Sequence, residues 1–185
     1  KAPNRRNDVG LNREKWLINP SCTSALHTAQ YEFIGALLGV ALRTQQPLTL
    51  DLSNLIWKRL LNHSVDQNDL EAIDKLCIQA LNELSNASQE TWDEMDLYWT
   101  TQLSNGHEIE LKPNGRTSPV PYADRAEYVR LTIHHRLTES ESQVAAMRKG
   151  LHQVVPAHLM SLFSYHDLEI MCVGNPEVHI EVLRK

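Results

Sequence analysis

TAQYEFIGALLGVALRTQQPLTLDLSNLIWKRLL, residues Thr28 to Leu61, is the stretch whose reading decides the fold. Its first half carries apolar side chains on nearly every side of a helix (Tyr31, Phe33, Ile34, Leu37, Leu38, Val40, Leu42), with no charge between Glu32 and Arg43. A helix that is apolar all round is expected at the buried centre of a domain. Gly35 and Gly39 stand one turn apart, each costing about 1 kcal/mol of helix propensity relative to alanine. That cost is explained if another backbone crosses this face closely. The helix should stop at Thr44, before Gln45, Gln46 and Pro47, and Asp51 should cap an amphipathic second helix holding Leu52, Leu55, Ile56 and Leu60.

Working outward, Lys1 to Ser24 reads as an irregular lead-in with a turn at Asn19-Pro20-Ser21. Asp66 to Leu84 has helical spacing through Leu70, Ile73, Leu76, Cys77, Ala80, Leu81 and Leu84, and Ser85 to Glu90 reads as a polar loop. Leu97 to Leu103 and Glu108 to Lys112 read as paired strands joined through Ser104-Asn105-Gly106, with Pro119 and Pro121 confining any third strand to a short edge. Asp124 and Glu127 form a potential capping box for a helix to about Leu137, and Ser140 and Gln143 form another. The following helix should end before Pro156, with Gly150 marking a close contact. Pro156 should start a short helix to about Phe163, and Ser164 should cap a last one that Gly174 terminates. The fold class is mainly α with a small antiparallel β element (α+β).

At 185 residues the chain is one domain or two small subdomains, and an apolar content of 42% is ordinary for a globular protein. No apolar run reaches membrane-spanning length, and Lys1 to Lys15 is too polar for a signal peptide, so no membrane partner is expected. Cys22, Cys77 and Cys172 are odd in number and far apart, which fits reduced thiols in a cytoplasmic or nuclear protein. A net charge of −5 without a basic stripe argues against nucleic acid as a partner. Between Lys75 and Lys112 there is no lysine or arginine, whereas Glu83, Glu90, Asp93, Glu94, Asp96, Glu108 and Glu110 fall inside, together with Trp92, Tyr98 and Trp99. Either this is a docking surface for a basic protein partner, or it is a solvated acidic face over core tryptophans.

The order FIGALLGVALRTQQPLTLDLSNLIWKRLL, then LKPNG (Leu111–Gly115), EYVRL (Glu127–Leu131), QVAAMRKGLHQVVP (Gln143–Pro156) and DLEIMCVG (Asp167–Gly174), closely resembles the HECT family of ubiquitin ligases, its large multi-domain members above all. The matches run in order over about four-fifths of the chain. The resemblance implies the amino-terminal lobe of such a ligase, mostly helical, with a small subdomain inserted in a larger one. That insertion would be 68–120, holding the acidic window, with 1–67 and 121–185 forming the larger part.

HECT ligases take ubiquitin from a conjugating enzyme onto their own cysteine as a thioester, then pass it to a substrate lysine. In the family that cysteine lies in a carboxy-terminal lobe, after Thr or Ser and before an aromatic residue, a pattern this chain lacks. The chain also closes on the NPEVHIEVL stretch that ends the amino lobe. It is therefore expected to be a piece of a ligase with no catalytic residue of its own. Cys22, in Ser21-Cys22-Thr23, lacks the aromatic; Cys77 sits on an apolar helix face; Cys172 sits at a helix C-terminus, where the dipole disfavours a thiolate. His134 and His135 are adjacent and expected to point apart, and His152, His158, His166 and His179 lack H-x-x-x-H or C-x-x-C spacing, so neither a metal nor a cofactor is expected.

The expected partners are a ubiquitin-conjugating enzyme and the ubiquitin it carries, with the substrate protein chosen by other domains. In the family the conjugating enzyme inserts a loop aromatic into an apolar groove on the small subdomain. Carried over by motif, the groove residues are Leu81 and Leu84, Leu97 and Trp99, and Tyr128. A plain core role competes for each, since all are apolar at core-compatible spacing. A non-catalytic interaction module that keeps the fold is the alternative; a charged Glu94 or Asp96 in the groove would favour it.

Overall fold

Side-chain caps and turns punctuate a mainly helical chain. The computed structural model describes residues 1–174, and the closing 175–185 stretch, with His179, lies outside the described residues. The elements are α1 (Pro3–Arg6), α2 (Ala25–Thr44), α3 (Asn54–Leu60), α4 (Gln67–Glu71), α5 (Lys75–Asn86), α6 (Gln89–Glu94), β1 (Thr100–Gln102), β2 (Glu108–Glu110), α7 (Arg125–Thr138), α8 (Glu141–Val154) and α9 (Tyr165–Val173). Short 3-10 turns occupy Gly115–Thr117, Tyr122–Asp124 and Ala157–Leu162. No described helix is long and apolar enough to cross a membrane. The described residues group into two compact units, 1–21 with 65–141 and 22–64 with 142–174.

In the second unit, Ser24 accepts from the His27 N–H to start α2, which ends as expected at Thr44 with Gln45 in the left-handed region at φ 56°. The glycines mark a close crossing of α2 and α8. A Cβ on Gly35 would overlap the carbonyl of Met147, and one on Gly150 would overlap the carbonyl of Glu32. Cys172 on α9 packs against α2, its thiol donating to the Leu38 carbonyl at 3.6 Å. The expectation of all-round burial is corrected: Leu38, Ala41 and Leu42 are buried, but Phe33 is 63% and Val40 44% exposed. The apolar stripe on α2 is wider than the faces its described neighbours cover.

The cap of α3 also moves. Asp51 sits in a tight turn ahead of the helix, with the Leu52 N–H donating to the Leu50 carbonyl at 2.9 Å; Leu52 is buried, and Ser53 becomes the N-cap, its own hydroxyl buried without a partner. Burying Leu52 ahead of the helix delays its start by two residues. At α9 the expected cap is present and reciprocal. Ser164 Oγ accepts from the Asp167 N–H, and Asp167 accepts from the Ser164 N–H and hydroxyl. Ser164→Ala is expected to lower stability by about 0.5–2 kcal/mol in a urea titration.

The first unit reaches beyond 68–120 on both sides, because the lead-in and α7 are tied to α4 and α5. Asn4, fully buried, donates to the carbonyls of Leu11 and Ala72 and accepts from the Lys75 N–H at 2.8 Å. The single helix expected from Asp66 to Leu84 is two. Asp66 and Asp69 form a capping box on α4, and Asp74 restarts the chain as α5 by accepting from the Cys77 N–H. The expected polar loop at Ser85–Glu90 is mostly helical: α5 runs to Asn86 and Ser88 caps α6, which carries Trp92 inward. The hairpin is antiparallel with Thr101 opposite Ile109, shorter than its pattern, and Tyr98 bridges Pro119 as a brief third edge. Asp124 makes no side-chain cap; Glu127 is drawn instead to Lys112 at 2.7 Å.

Candidate functional site

Two stripes at helical spacing face each other in the first unit. On α5, Leu76, Cys77, Ala80, Leu81 and Leu84 line one wall; on α7, Tyr128, Thr132 and Arg136, each one turn from the last, line the other. Thr101 and Gln102 of β1 close the end, and the open groove has a volume of about 370 Å³. Leu81, Leu84 and Tyr128 are therefore brought together. Leu76, 41% exposed at the rim, was not singled out by the sequence reading, though its four-residue spacing from Ala80 is the signal for that wall.

The groove has a polar anchor. Arg136, 5% exposed, donates to Asp74 at 2.9 Å and to Glu139 at 3.1 Å. Asp74 caps α5, and Glu139 accepts from the Ser104 N–H at the hairpin tip. One guanidinium thus ties the start of α5, the end of α7 and the hairpin. Burial works against its charge, but Glu139, the Cys77 thiol and Asp74 more than offset this and hold Arg136 above its ordinary value. Burial likewise pushes the Tyr128 phenol up, with Thr132 pulling the other way, and Tyr128 donates to the Thr100 carbonyl at 3.1 Å.

Leu97 and Trp99 do not line this groove. Trp99 is 4% exposed and lies behind Tyr128, their ring centroids 6.1 Å apart. Lys112 of the LKPNG block sits 3.6 Å above the Trp99 ring while paired to Glu127, so the block fixes the aromatic cluster from outside. Leu97 lines a separate recess of about 130 Å³ with Trp92, Asp93, Asp96, Pro119 and Val120. Trp92 links the two places: its ring is 6.4 Å from Tyr128, and its indole N–H donates to the Val120 carbonyl at 2.8 Å.

Cys77 and Cys172 are poor nucleophiles. Burial pushes the Cys77 thiol up, Arg136 opposing, and pushes Cys172 up to about 12. The carbonyl of Cys22 accepts from the Gln143 amide at 3.2 Å. His134 and His135 do not point apart: their rings meet edge to face at 5.8 Å, which neighbours separated by only about 100° around a helix can do. Among the described residues no three His, Cys, Asp or Glu side chains converge as a metal site would need.

The family model described as HECT-domain (ubiquitin-transferase) matches residues 7–185. The E3 ubiquitin-protein ligase HERC2 of Mus musculus is 38% identical over 99% of this chain, and HERC2 of Homo sapiens is 38% identical over the same share. The E3 ubiquitin-protein ligase HACE1 of Danio rerio is 30% identical over 83% of it. The chain spans about 4% of the length of the HERC2 proteins and 17% of that of HACE1. A match over nearly the whole chain, together with a mainly helical fold carrying one small hairpin, places this chain in the HECT-domain family.

Proposed function

We propose that this chain recruits a ubiquitin-charged conjugating enzyme for a HECT-type ubiquitin ligase, with the enzyme docking on the stretch 68–120 and α7. The observation that carries this reading is the open groove between α5 and α7. It is walled by Leu76, Leu81, Leu84 and Tyr128, and neither Glu94 nor Asp96 lines it. An apolar trough of this size suits one inserted aromatic or aliphatic anchor, the usual centre of a protein interface. Ubiquitin would then pass to a cysteine outside these residues: burial pushes the Cys77 and Cys172 thiols up, and Cys22 lacks the aromatic residue that follows the family's cysteine. Substrate choice would rest with other regions of the ligase.

The test is an NMR titration of the folded chain with a panel of ubiquitin-conjugating enzymes. Leu84→Asp and Leu76→Asp place a charge at the rim without opening the core, and each is expected to weaken binding at least thirtyfold, about 2 kcal/mol. Saturable shifts confined to α5, β1 and α7, lost in both variants, support recruitment. A folded chain that binds no panel member would turn the reading to a non-catalytic interaction module.

A further inference from the structure

Glu139 is a buried carboxylate that charge balance does not require. The side chains of Arg136, Asp74 and Glu139 are 5%, 9% and 7% exposed, and Asp74, 2.9 Å from Arg136, already neutralises the guanidinium. One cation against two carboxylates is costly away from water unless the extra oxygen is bonded to something. It is bonded to the hairpin: Glu139 Oε2 accepts from the Ser104 N–H at 3.0 Å as well as from Arg136 Nε at 3.1 Å.

The place of this bond on the chain says what it does. Tyr128 holds the Thr100 carbonyl and Glu139 holds the Ser104 N–H, so the strand between them is pinned to α7 at both ends. The pins stand eleven residues apart on α7, about 16 Å of helix, and the chain from Thr100 to Ser104 covers about 13 Å. Thr101 and Gln102, by which β1 closes the groove, lie between the pins, whereas Glu139 does not itself line the groove. The tip is also held by Arg6, which donates to the Ser104 carbonyl, and by Asn105, which donates to Ser21 Oγ at 2.6 Å. Losing Glu139 would therefore shift the wall rather than detach the hairpin.

We infer that Glu139 is a positioning residue for recruitment. Without touching the conjugating enzyme, it sets the distance of the β1 wall from α7, and so the width of the groove that the enzyme's anchor enters. The inference rests on the recruitment reading above. What such a role needs from residue 139 is reach to Ser104, not charge beside Arg136.

Two substitutions separate these. Glu139→Gln keeps the length and an oxygen that can accept from Ser104, and leaves Arg136 balanced by Asp74. Glu139→Asp keeps the charge but ends one methylene short. The probe is the tightest-binding member of the conjugating-enzyme panel, titrated into the whole chain. The Thr101, Gln102 and Ser104 amide resonances are read before the enzyme is added, and urea titrations correct each affinity for the folded fraction. Glu139→Gln is expected to bind within about twofold of the parent chain, and Glu139→Asp roughly fivefold more weakly. The aspartate variant should also shift all three resonances and speed hydrogen exchange at Ser104. The role is overturned if Glu139→Asp binds like the parent or leaves the three resonances in place, or if Glu139→Gln weakens binding as much as Glu139→Asp. Recruitment still stands in those cases, provided that Leu84→Asp abolishes binding. If Leu84→Asp has no effect, or no panel member binds, the recruitment reading fails and the positioning role falls with it.

Discussion

Gly150→Ala is expected to destabilise the protein by on the order of 3 kcal/mol or more, although alanine is the better helix former by about 1 kcal/mol. The new Cβ would overlap the carbonyl of Glu32 and approach the Ala36 nitrogen at 2.9 Å. These are backbone atoms of a long helix, so no side chain can turn aside to make room. The helices would have to separate, emptying the space around Leu38, Met147 and Leu151, all nearly fully buried. Gly35→Ala meets the Met147 carbonyl from the other side and should behave alike, whereas Gly39 faces the Val154 side chain at 2.7 Å and should tolerate alanine better. Urea denaturation of the three variants ranks them; a Gly150→Ala loss below that of Gly39→Ala would contradict the crossing described here.

The second large effect is at Arg136. Arg136→Met preserves volume but leaves Asp74 and Glu139, both nearly inaccessible, without their cation. Breaking one side of a buried ion network typically costs about 3–5 kcal/mol. The sign with pH is distinctive. Two buried carboxylates left without their cation are costly only while ionised, so the variant should lose most stability at neutral pH and lose less as the solution is acidified. An Arg136→Met variant equally destabilised at every pH would exclude the electrostatic account. The same variant should weaken docking of a conjugating enzyme, since Arg136 lines the groove and sets the start of its α5 wall.

Much of this was legible in the sequence. The end of α2 at Thr44, the glycine-marked crossing, the hairpin, and the Ser164 cap all follow from local rules that the surroundings do not override. The failures share a cause. Asp51 and Asp124 have the right chemistry to cap, but tertiary burial of Leu52 and the pull of Lys112 on Glu127 decide otherwise. Asp74 looked like one more helical residue until its partner, 62 positions away at Arg136, was visible. The candidate groove was half legible. All five residues were carried over by motif; Leu81, Leu84 and Tyr128 share the groove because helical spacing puts them on facing stripes, whereas Leu97 and Trp99, on the irregular chain ahead of β1, lie elsewhere. A motif names a residue without saying which cavity its side chain meets.

The interleaving of the two units constrains how the protein is born. On a ribosome, α2 and α3 emerge before any residue of α8 or α9 exists, and the whole of 65–141 is made in between. At roughly 5–20 residues per second, a nascent helix bearing Phe33, Leu38 and Leu42 waits roughly 5–25 s for the backbone of Met147 and the thiol of Cys172. Once Glu141 is made, the ties of the first unit from Asn4 to Arg136 can form while the second is still half made. Synthesis therefore favours a fixed order of assembly, with the surface carrying the groove made before the apolar helix finds its cover.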